Sequence, residues 1–107
     1  MRGSRELHYF PDSQTVAFRL GLLSCCALDL RDWQRLETLG ESATWTVGRS
    51  GGRPVPMVDL PGHRPAIVAR LLLGAGRWQQ VRYRNGDAFD LRRGNLILFD
   101  RSTGRAA

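Results

Sequence analysis

The segment from Gln79 to Leu96, QQVRYRNGDAFDLRRGNL, constrains the fold more than any other part of the chain. Val81 and Tyr83 alternate with polar residues, which is typical of a half-buried strand. Residues 85–87 (Asn-Gly-Asp) come next, and such pairs supply the positive φ angles that a tight hairpin turn needs. The pattern therefore predicts a strand that enters a tight turn.

An arginine-rich stretch follows that turn. Asp90 is expected to be a helix N-cap whose carboxylate accepts a hydrogen bond from the backbone N–H of Arg92 or Arg93. Leu91 is expected to point inward, and residues 96–99 are expected to return as a strand. The whole segment thus predicts a strand, a turn, a short helix and a second strand.

Arginine supplies all of the positive side chains apart from two histidines, and its distribution is uneven. Residues 1–48 hold five arginines and six acidic residues, a net charge of −1, whereas residues 49–107 hold eleven arginines and four acidic residues, a net charge of +7. A basic half beside a neutral half is the electrostatic footprint of a polyanion-binding face. A genome rich in G and C would also favour arginine over lysine, but it does not account for the asymmetry.

Length and composition predict one small domain. The chain has 107 residues, of which 42% are hydrophobic, and this is enough for a modest core. We expect an N-terminal segment at residues 1–13, a single domain at residues 14–100 and a polar tail at residues 101–107. The apolar run at residues 20–28 is too short to span a bilayer, so we expect no contact with a membrane.

The two cysteines bear on the compartment. Cys25 and Cys26 are adjacent, so they cannot easily pair with one another, and the chain has no other cysteine. Two thiols in a short apolar run are typical of the core of a cytosolic protein, and they are too few for a zinc site. The sequence therefore predicts a cytoplasmic protein.

The first third of the chain predicts a hairpin and a helix. Residues 15–20 and 22–27 are apolar or β-branched runs separated by Gly21. Asp29 is expected to cap a helix at residues 30–39. Its apolar face is Trp33, Leu36 and Leu39, and Gly40 is its C-terminal stop.

The middle of the chain predicts two more strands and a second short helix. Strands are expected at residues 45–47 and 55–60, around a flexible loop at residues 48–54 that carries Arg49 and Arg53 at its tip, and a basic hairpin is one interpretation of this unit. Residues 67–73 predict a helix that Gly74 interrupts. Its predicted buried residues are Ile67, Val68, Leu71 and Leu72. Strands and helices in this order predict the α+β fold class.

The segment around the turn resembles the core of HNH endonucleases of the homing and phage kind, whose consensus runs roughly V-D-H-I-N-G-D-x-x-D-N-R-R-x-N-L. The matching positions are Val81, Asn85, Gly86, Asp87, Asp90, Arg92, Arg93, Asn95 and Leu96. Upstream positions resemble the same group: Ala27-Leu28-Asp29, Asp32-Trp33, Leu36, Trp45 and the run at residues 69–74. The resemblance covers residues 27–100. It implies an HNH-like core of the ββα-metal (His-Me finger) type, a strand-turn-strand-helix unit, preceded by a β-hairpin and a helix.

The catalytic positions of that family are replaced in this chain. The Asp-His pair falls on Arg82-Tyr83, a second frequent histidine falls on Ala69, and a further asparagine ligand falls on Gly104. Neither arginine nor tyrosine serves readily as a general base at neutral pH. An arginine also repels a divalent cation but attracts a phosphate. We therefore expect no catalytic residue, no metal site and no cofactor.

The same positions imply a division of roles among the remaining polar residues. The residues expected to bind nucleic acid are Arg49, Arg53, Arg70, Arg77, Arg82, Arg84, Arg92 and Arg93. Those expected to hold the motif in shape are Asn85, Gly86, Asp87, Asp90 and Asn95. The alternative for the arginines is a solvated charged face. The expected partner is duplex DNA, bound through phosphates with weak sequence specificity.

These observations give a leading hypothesis and two alternatives. The leading one is a catalytically inactive HNH-like protein that binds nucleic acid, such as a regulator of bacterial or phage origin. The second is a divergent metal-dependent DNA endonuclease that uses Asp87, Asp90, Asn95 or His63. The third is a protein-interaction module on a decayed nuclease scaffold, with Trp33, Trp45 and Trp78 as candidate anchors. The sequence does not decide the oligomeric state.

Overall fold

The computed structural model describes residues 6–22, 24–38, 44–59 and 61–107, which form a small α+β fold. The predicted fold class is confirmed at this level. The elements in chain order are β1 (Leu7–Phe10), β2 (Thr15–Leu20), β3 (Ser24–Asp29), α1 (Leu30–Thr38), β4 (Thr44–Ser50), β5 (Arg53–Asp59), β6 (Ala66–Ile67), α2 (Val68–Leu73), β7 (Gln79–Tyr83), a 3₁₀ turn (Arg93–Asn95), β8 (Leu96–Asp100) and β9 (Arg105–Ala106). The strands form three antiparallel sheets, β1-β2-β3, β4-β5-β6 and β7-β8-β9.

The first sheet contains the hairpin that the sequence predicts. Strands β2 and β3 pair around Gly21, whose φ of 80° suits the turn. Cys26 is buried but Cys25 is exposed, because successive residues of a strand point to opposite faces. The prediction that both thiols lie in the core is therefore wrong for Cys25. Strand β1, which the sequence analysis did not predict, pairs with β2 along its outer edge.

Helix α1 begins at Leu30, as predicted, and connects the first two sheets. Its buried and half-buried side chains include Leu36 and Trp33. The predicted helix end at Leu39 and Gly40 lies outside the described residues. Trp33 packs against Phe18 of β2, with ring centroids 5.2 Å apart. Trp45 of β4 packs against the same phenylalanine at 5.0 Å, so this aromatic cluster holds α1 and two sheets together.

The second sheet corrects the predicted loop at residues 48–54. Strand β4 continues to Ser50 and β5 begins at Arg53, so the turn between them consists of Gly51 and Gly52 alone. Both glycines have positive φ angles, 60° and 82°, which allow so tight a reversal. Arg49 and Arg53 therefore lie on paired strands rather than at the tip of a flexible loop. Of the predicted strand at residues 55–60, Leu60 lies outside the described residues.

The second helix is shorter than predicted. Ile67 pairs with Met57 in the small strand β6, so α2 begins at Val68. Val68 and Leu72 are buried as predicted, whereas Ile67 and Leu71 are only partly buried against the core. Gly74 ends the helix in the left-handed conformation, which confirms its predicted role as the helix stop.

The third sheet contains the arginine-rich segment at residues 79–96. Strands are present at both predicted places, and β7 and β8 pair from Gln79↔Asp100 to Tyr83↔Leu96, a register that the sequence did not predict. The predicted short helix between them is wrong: Arg92 is extended, with a ψ of 140°, and only the single 3₁₀ turn follows. The helix that the predicted strand-turn-strand-helix unit places after the second strand is also wrong: the next element after β8 is the short strand β9, which lies in the predicted polar tail and pairs with β8.

A backbone connection ties the loop between β7 and β8 to the first sheet. Ala27 of β3 donates its N–H to the Phe89 carbonyl (3.0 Å) and accepts a hydrogen bond from the Leu91 N–H (2.7 Å). Leu91 is completely buried, as predicted, and it lies in the same core as Phe18 and Leu28. The loop is therefore a packed part of the fold. None of the helices in the described ranges is long and apolar enough to cross a membrane.

Candidate nucleic-acid interface

The loop that carries the candidate site is held from inside by Asn95. The Asn95 side chain is buried; its Nδ2 donates to the Asp90 carbonyl (2.9 Å) and its Oδ1 accepts from the Asn85 N–H (3.0 Å). The Asn95 carbonyl also accepts a hydrogen bond from the Arg84 N–H at 2.8 Å. One amide thus fixes both ends of the loop, which is the structural role that the sequence analysis expects for this residue.

We expect Asn95→Ala to lower the free energy of unfolding by about 2–3 kcal/mol, because two backbone groups of the loop lose their hydrogen-bond partners. Urea denaturation of the purified variant measures this change. Gln80→Ala, which removes an exposed amide from β7, is the matched control and should leave the midpoint nearly unchanged. Equal effects of the two substitutions would contradict the role assigned to Asn95.

Asp90 is the second residue whose side chain holds this loop through several hydrogen bonds. Its Oδ1 accepts hydrogen bonds from the Arg92 backbone N–H (3.3 Å) and Nε (2.8 Å), and its Oδ2 accepts from Arg92 Nη2 (2.6 Å) and Asn85 Nδ2 (2.8 Å). The predicted bond from the Arg92 N–H is therefore present, although no helix follows it. The hydrogen bonds from the Arg92 side chain lower the pKa of the Asp90 carboxyl by more than burial raises it, and the bonds from the Arg92 N–H and Asn85 lower it further.

This lowered pKa of Asp90 gives a pH dependence of stability. A carboxyl whose pKa falls on folding stabilises the native state above its unfolded value of 3.8, and the contribution is lost as pH falls through the lower folded value. We expect wild type to exceed Asp90→Asn in stability at pH 7, and the difference to shrink below about pH 4. Urea denaturation of both proteins between these pH values measures it. A difference that stays constant with pH would contradict this account.

Arg93 lies at the contact between the loop and α1. Its Nε and Nη2 donate to the two carboxylate oxygens of Asp32 at 2.8 and 3.0 Å, and its backbone N–H donates to Asp29 Oδ2 at 3.2 Å. Asp32 is 3% exposed and also accepts a hydrogen bond from Arg35. Arg92 and Arg93 are thus both paired with carboxylates. Of the eight predicted nucleic-acid ligands, these two have a structural partner of opposite charge.

A different group of arginines surrounds the turn at residues 83–87. The Nη2 of Arg53, which reaches over from β5, donates to the Gly86 carbonyl at 2.6 Å. The Arg82 guanidinium lies over the Phe99 ring, 3.7 Å from its centroid. Arg84 is exposed, and its side chain has no hydrogen-bond or ion-pair partner within the part of the chain that the structure describes. We call Arg53, Arg82 and Arg84 the turn arginines.

The turn arginines differ from Arg92 and Arg93 in their partners. Among the described residues, none of the three forms a salt bridge with a carboxylate, so their positive charges are not neutralised locally. Arg53 contacts the turn at Gly86, whose φ is 76°, while Arg82 and Arg84 lie at the end of β7 and directly after it. An exposed turn with unneutralised guanidinium groups is an arrangement that can bind a phosphate.

The other three predicted arginines, Arg49, Arg70 and Arg77, lie in the same basic half of the chain. Arg70 donates to the carbonyls of Gln79 (2.7 Å) and Gly76 (2.8 Å), so it connects α2 to the start of β7. Arg49 donates to the Gly52 carbonyl within its own hairpin. Arg77 lies 5.8 Å from the centre of the Trp78 ring. The structure thus assigns Arg70 a structural bond, while Arg77 lies beside an exposed aromatic ring.

The residues at the replaced catalytic positions do not form a cluster of metal ligands. Nowhere in the described ranges do three or more His, Cys, Asp or Glu side chains lie close enough together to hold a metal ion. Asp87 accepts a hydrogen bond from the Phe89 N–H, and its own N–H donates to Asn85 Oδ1, as in a tight turn. His63 is exposed, and Ala69, in place of the family's second histidine, is completely buried.

Tyr83 occupies the position that corresponds to the catalytic histidine of the resembled family. It is the last residue of β7 and is half buried. Burial raises the pKa of the Tyr83 phenol above its usual value of 10.0, although the Arg53 guanidinium acts in the opposite direction. The phenol is therefore protonated at neutral pH and cannot act as a general base there.

Sequence reasoning missed two features of this site. The first is the contact of Arg53 with Gly86, which joins β5 to the turn; no local pattern marks it, because the two residues are 33 positions apart. The second is the pair of Arg93 with Asp32, 61 positions apart. Asp32 in the first turn of a helix was a weak signal for it, since a buried carboxylate there needs a cation.

Comparison of the chain with family models, curated proteins and solved structures gave no match. The functional argument therefore depends on the residues and geometry described above.

Proposed function

We propose that the protein is a catalytically inactive relative of HNH endonucleases that binds duplex DNA through arginine–phosphate contacts. The observation that carries this proposal is the group of turn arginines, Arg53, Arg82 and Arg84, whose charges have no carboxylate partner among the described residues. Four acidic residues against eleven arginines in residues 49–107 give this half of the chain a net charge of +7. A polyanion is the ligand that fits such a surface.

The relation to the HNH family is supported by the β7-β8 hairpin and its loop. The family pattern requires a strand, a turn with Asn-Gly-Asp, and an asparagine that orients the loop. Strand β7, residues 85–87 and the buried Asn95 occupy these positions here. In the proposed relationship, the two strands and their loop persist without the helix of the family's strand-turn-strand-helix unit, and the turn presents arginines to a phosphate where active members present a metal and a base.

The proposed lack of catalysis is supported by the chemistry of two side chains. Tyr83 is a protonated phenol at neutral pH, and Arg82 is a cation that repels a divalent metal. Hydrolysis of a phosphodiester needs an activated water, and neither group activates one. Phosphate binding needs only a positive charge with hydrogen-bond donors, and Arg82 supplies both.

The proposed mode of binding predicts weak sequence specificity. Contacts with phosphate fix the position of a protein on the duplex but do not read the bases. Arg82 is held against Phe99 on one face of the third sheet, and Arg53 is held against Gly86, so both guanidinium groups are positioned before DNA binds. Positioned arginines lose less conformational entropy on binding than free ones.

Salt dependence tests this proposal. With three phosphate contacts, the affinity for a duplex should fall about 500-fold between 50 and 500 mM salt, because binding releases the counterions condensed on DNA. Fluorescence anisotropy with a labelled duplex measures the dissociation constant at each concentration. Equal affinity at both concentrations would contradict a role for arginine–phosphate contacts.

The geometry gives less support to the alternative of a protein-interaction module. Two of its three candidate anchors, Trp33 and Trp45, pack against Phe18 and against each other, with their centroids 6.0 Å apart. These rings stabilise the core and are not displayed at the surface as interface anchors. Trp78 alone among the three is largely exposed, at 63%.

A further inference from the structure

The exposed Trp78 lies beside a cleft that is separate from the turn arginines. Trp78, Arg101 and Ser102 line this open cleft, whose volume is about 370 Å³. The Trp78 carbonyl accepts a hydrogen bond from the Arg101 N–H at 2.8 Å, so the backbones on the two sides of the cleft are joined. The backbone of Trp78 is therefore held in place, while its ring lines a cleft that is open to solvent.

The surroundings of Trp78 are cationic. The Arg77 guanidinium lies 5.8 Å from the ring centre, and Arg101 lines the cleft. Asp100, which directly precedes Arg101, accepts hydrogen bonds from the Ser102 N–H (3.0 Å) and Oγ (2.7 Å), which fix the turn that follows β8. An indole ring with one guanidinium group beside it, and a second arginine in the same cleft, offers a stacking surface together with phosphate ligands.

We propose that Trp78 stacks on an unpaired nucleobase of a single-stranded nucleic acid, while Arg77 and Arg101 bind the flanking phosphates. Bases stack on aromatic side chains in this way when they are free of a duplex. This inference rests on the proposed function and extends it, since the turn arginines need only a phosphate backbone. Trp78 lies in the turn just before β7 and Arg82 lies on β7 four residues later, which is about 13 Å at full extension, so one strand of nucleic acid could contact both.

The location explains why Trp78 is available for stacking although the other two tryptophans are not. Trp33 and Trp45 contribute to the core through Phe18, so their replacement would disturb the fold. Trp78 lies just before β7 and is 63% exposed, so its replacement removes little packing. A variant at this position therefore tests binding separately from folding.

The test uses four proteins and three ligands. The proteins are wild type, Trp78→Ala, Trp78→Phe and Leu22→Ala; Leu22 is 87% exposed and serves as the matched apolar control. The ligands are a labelled oligothymidylate of about twelve nucleotides, within the range that one small domain covers, an abasic strand of equal length and a duplex of equal length. Fluorescence anisotropy gives each dissociation constant, and thermal unfolding shows that each variant is folded.

We expect Trp78→Ala to bind oligothymidylate about 5- to 100-fold more weakly than wild type and to bind the duplex equally well. Trp78→Phe should retain most of the affinity because it keeps an aromatic ring, and the abasic strand should bind wild type as weakly as oligothymidylate binds Trp78→Ala. Unchanged binding of oligothymidylate by Trp78→Ala, or tight binding of the abasic strand, would overturn the inference. Duplex binding without oligothymidylate binding would overturn the inference alone, whereas binding of neither ligand would overturn the proposed function as well.

Discussion

Phe18→Ala is expected to lower the free energy of unfolding by about 3–5 kcal/mol, because it removes a fully buried ring and leaves a cavity. Phe18 contacts Trp33 at 5.2 Å and Trp45 at 5.0 Å between ring centroids. These three rings belong to β2, α1 and β4, so the cavity would weaken the contact among all three elements. Urea denaturation followed by tryptophan fluorescence measures the loss.

The matched control for this prediction is Phe10→Ala on the neighbouring strand β1. Phe10 is 50% exposed, so the same chemical change should cost well under half as much. A similar loss for the two variants would show that the aromatic cluster does not hold the fold together.

The double variant Arg82→Gln/Arg84→Gln is expected to bind duplex DNA more weakly and with a smaller dependence on salt. Each phosphate contact contributes about 0.9 to the slope of log affinity against log salt, so loss of two contacts should reduce that slope by about 1.8. When the salt concentration rises tenfold, the fold-loss of affinity should thus be about 60 times smaller for the variant than for wild type. The weakening should be nearly the same for all duplex sequences.

A charge-matched control separates this effect from that of net charge. Arg31→Gln/Arg64→Gln removes two exposed arginines that lie elsewhere in the chain, on α1 and before β6. If the turn arginines bind phosphate, this control should keep most of the wild-type slope. Equal slopes for the two double variants would mean that total charge, and not the turn, determines the affinity.

The predictable parts of the fold were those with strong local patterns. An apolar and β-branched run predicted β2, alternating residues predicted β7, and Gly74 marked the end of α2 correctly, because these features depend on neighbours in the sequence. The two-residue turn at Gly51 and Gly52 was predicted as a longer loop, since strand pairing across it extends both strands. Strand β9 was missed because its two residues form a strand only by pairing with β8.

The site was predictable to the same extent and for the same reason. Asp90 accepting a hydrogen bond from the Arg92 N–H was predicted, because the two groups are two residues apart. The local pattern did not reveal that Arg93 pairs with Asp32, so it could not separate paired from unpaired arginines. Selection of Arg53, Arg82 and Arg84 from eight candidates needed the tertiary contacts of each guanidinium.

The measurement that tests the central claim most directly is a fluorescence-anisotropy titration of duplex DNA in EDTA and again in magnesium, with the DNA of each reaction examined on a denaturing gel. The account predicts binding in both buffers, weaker in magnesium because Mg²⁺ competes with the arginines for the DNA phosphates, and intact DNA after incubation with magnesium. Absence of binding in both buffers would contradict the claim. Binding that requires magnesium, or cleavage of the duplex, would contradict it as well and would favour a metal-dependent nuclease.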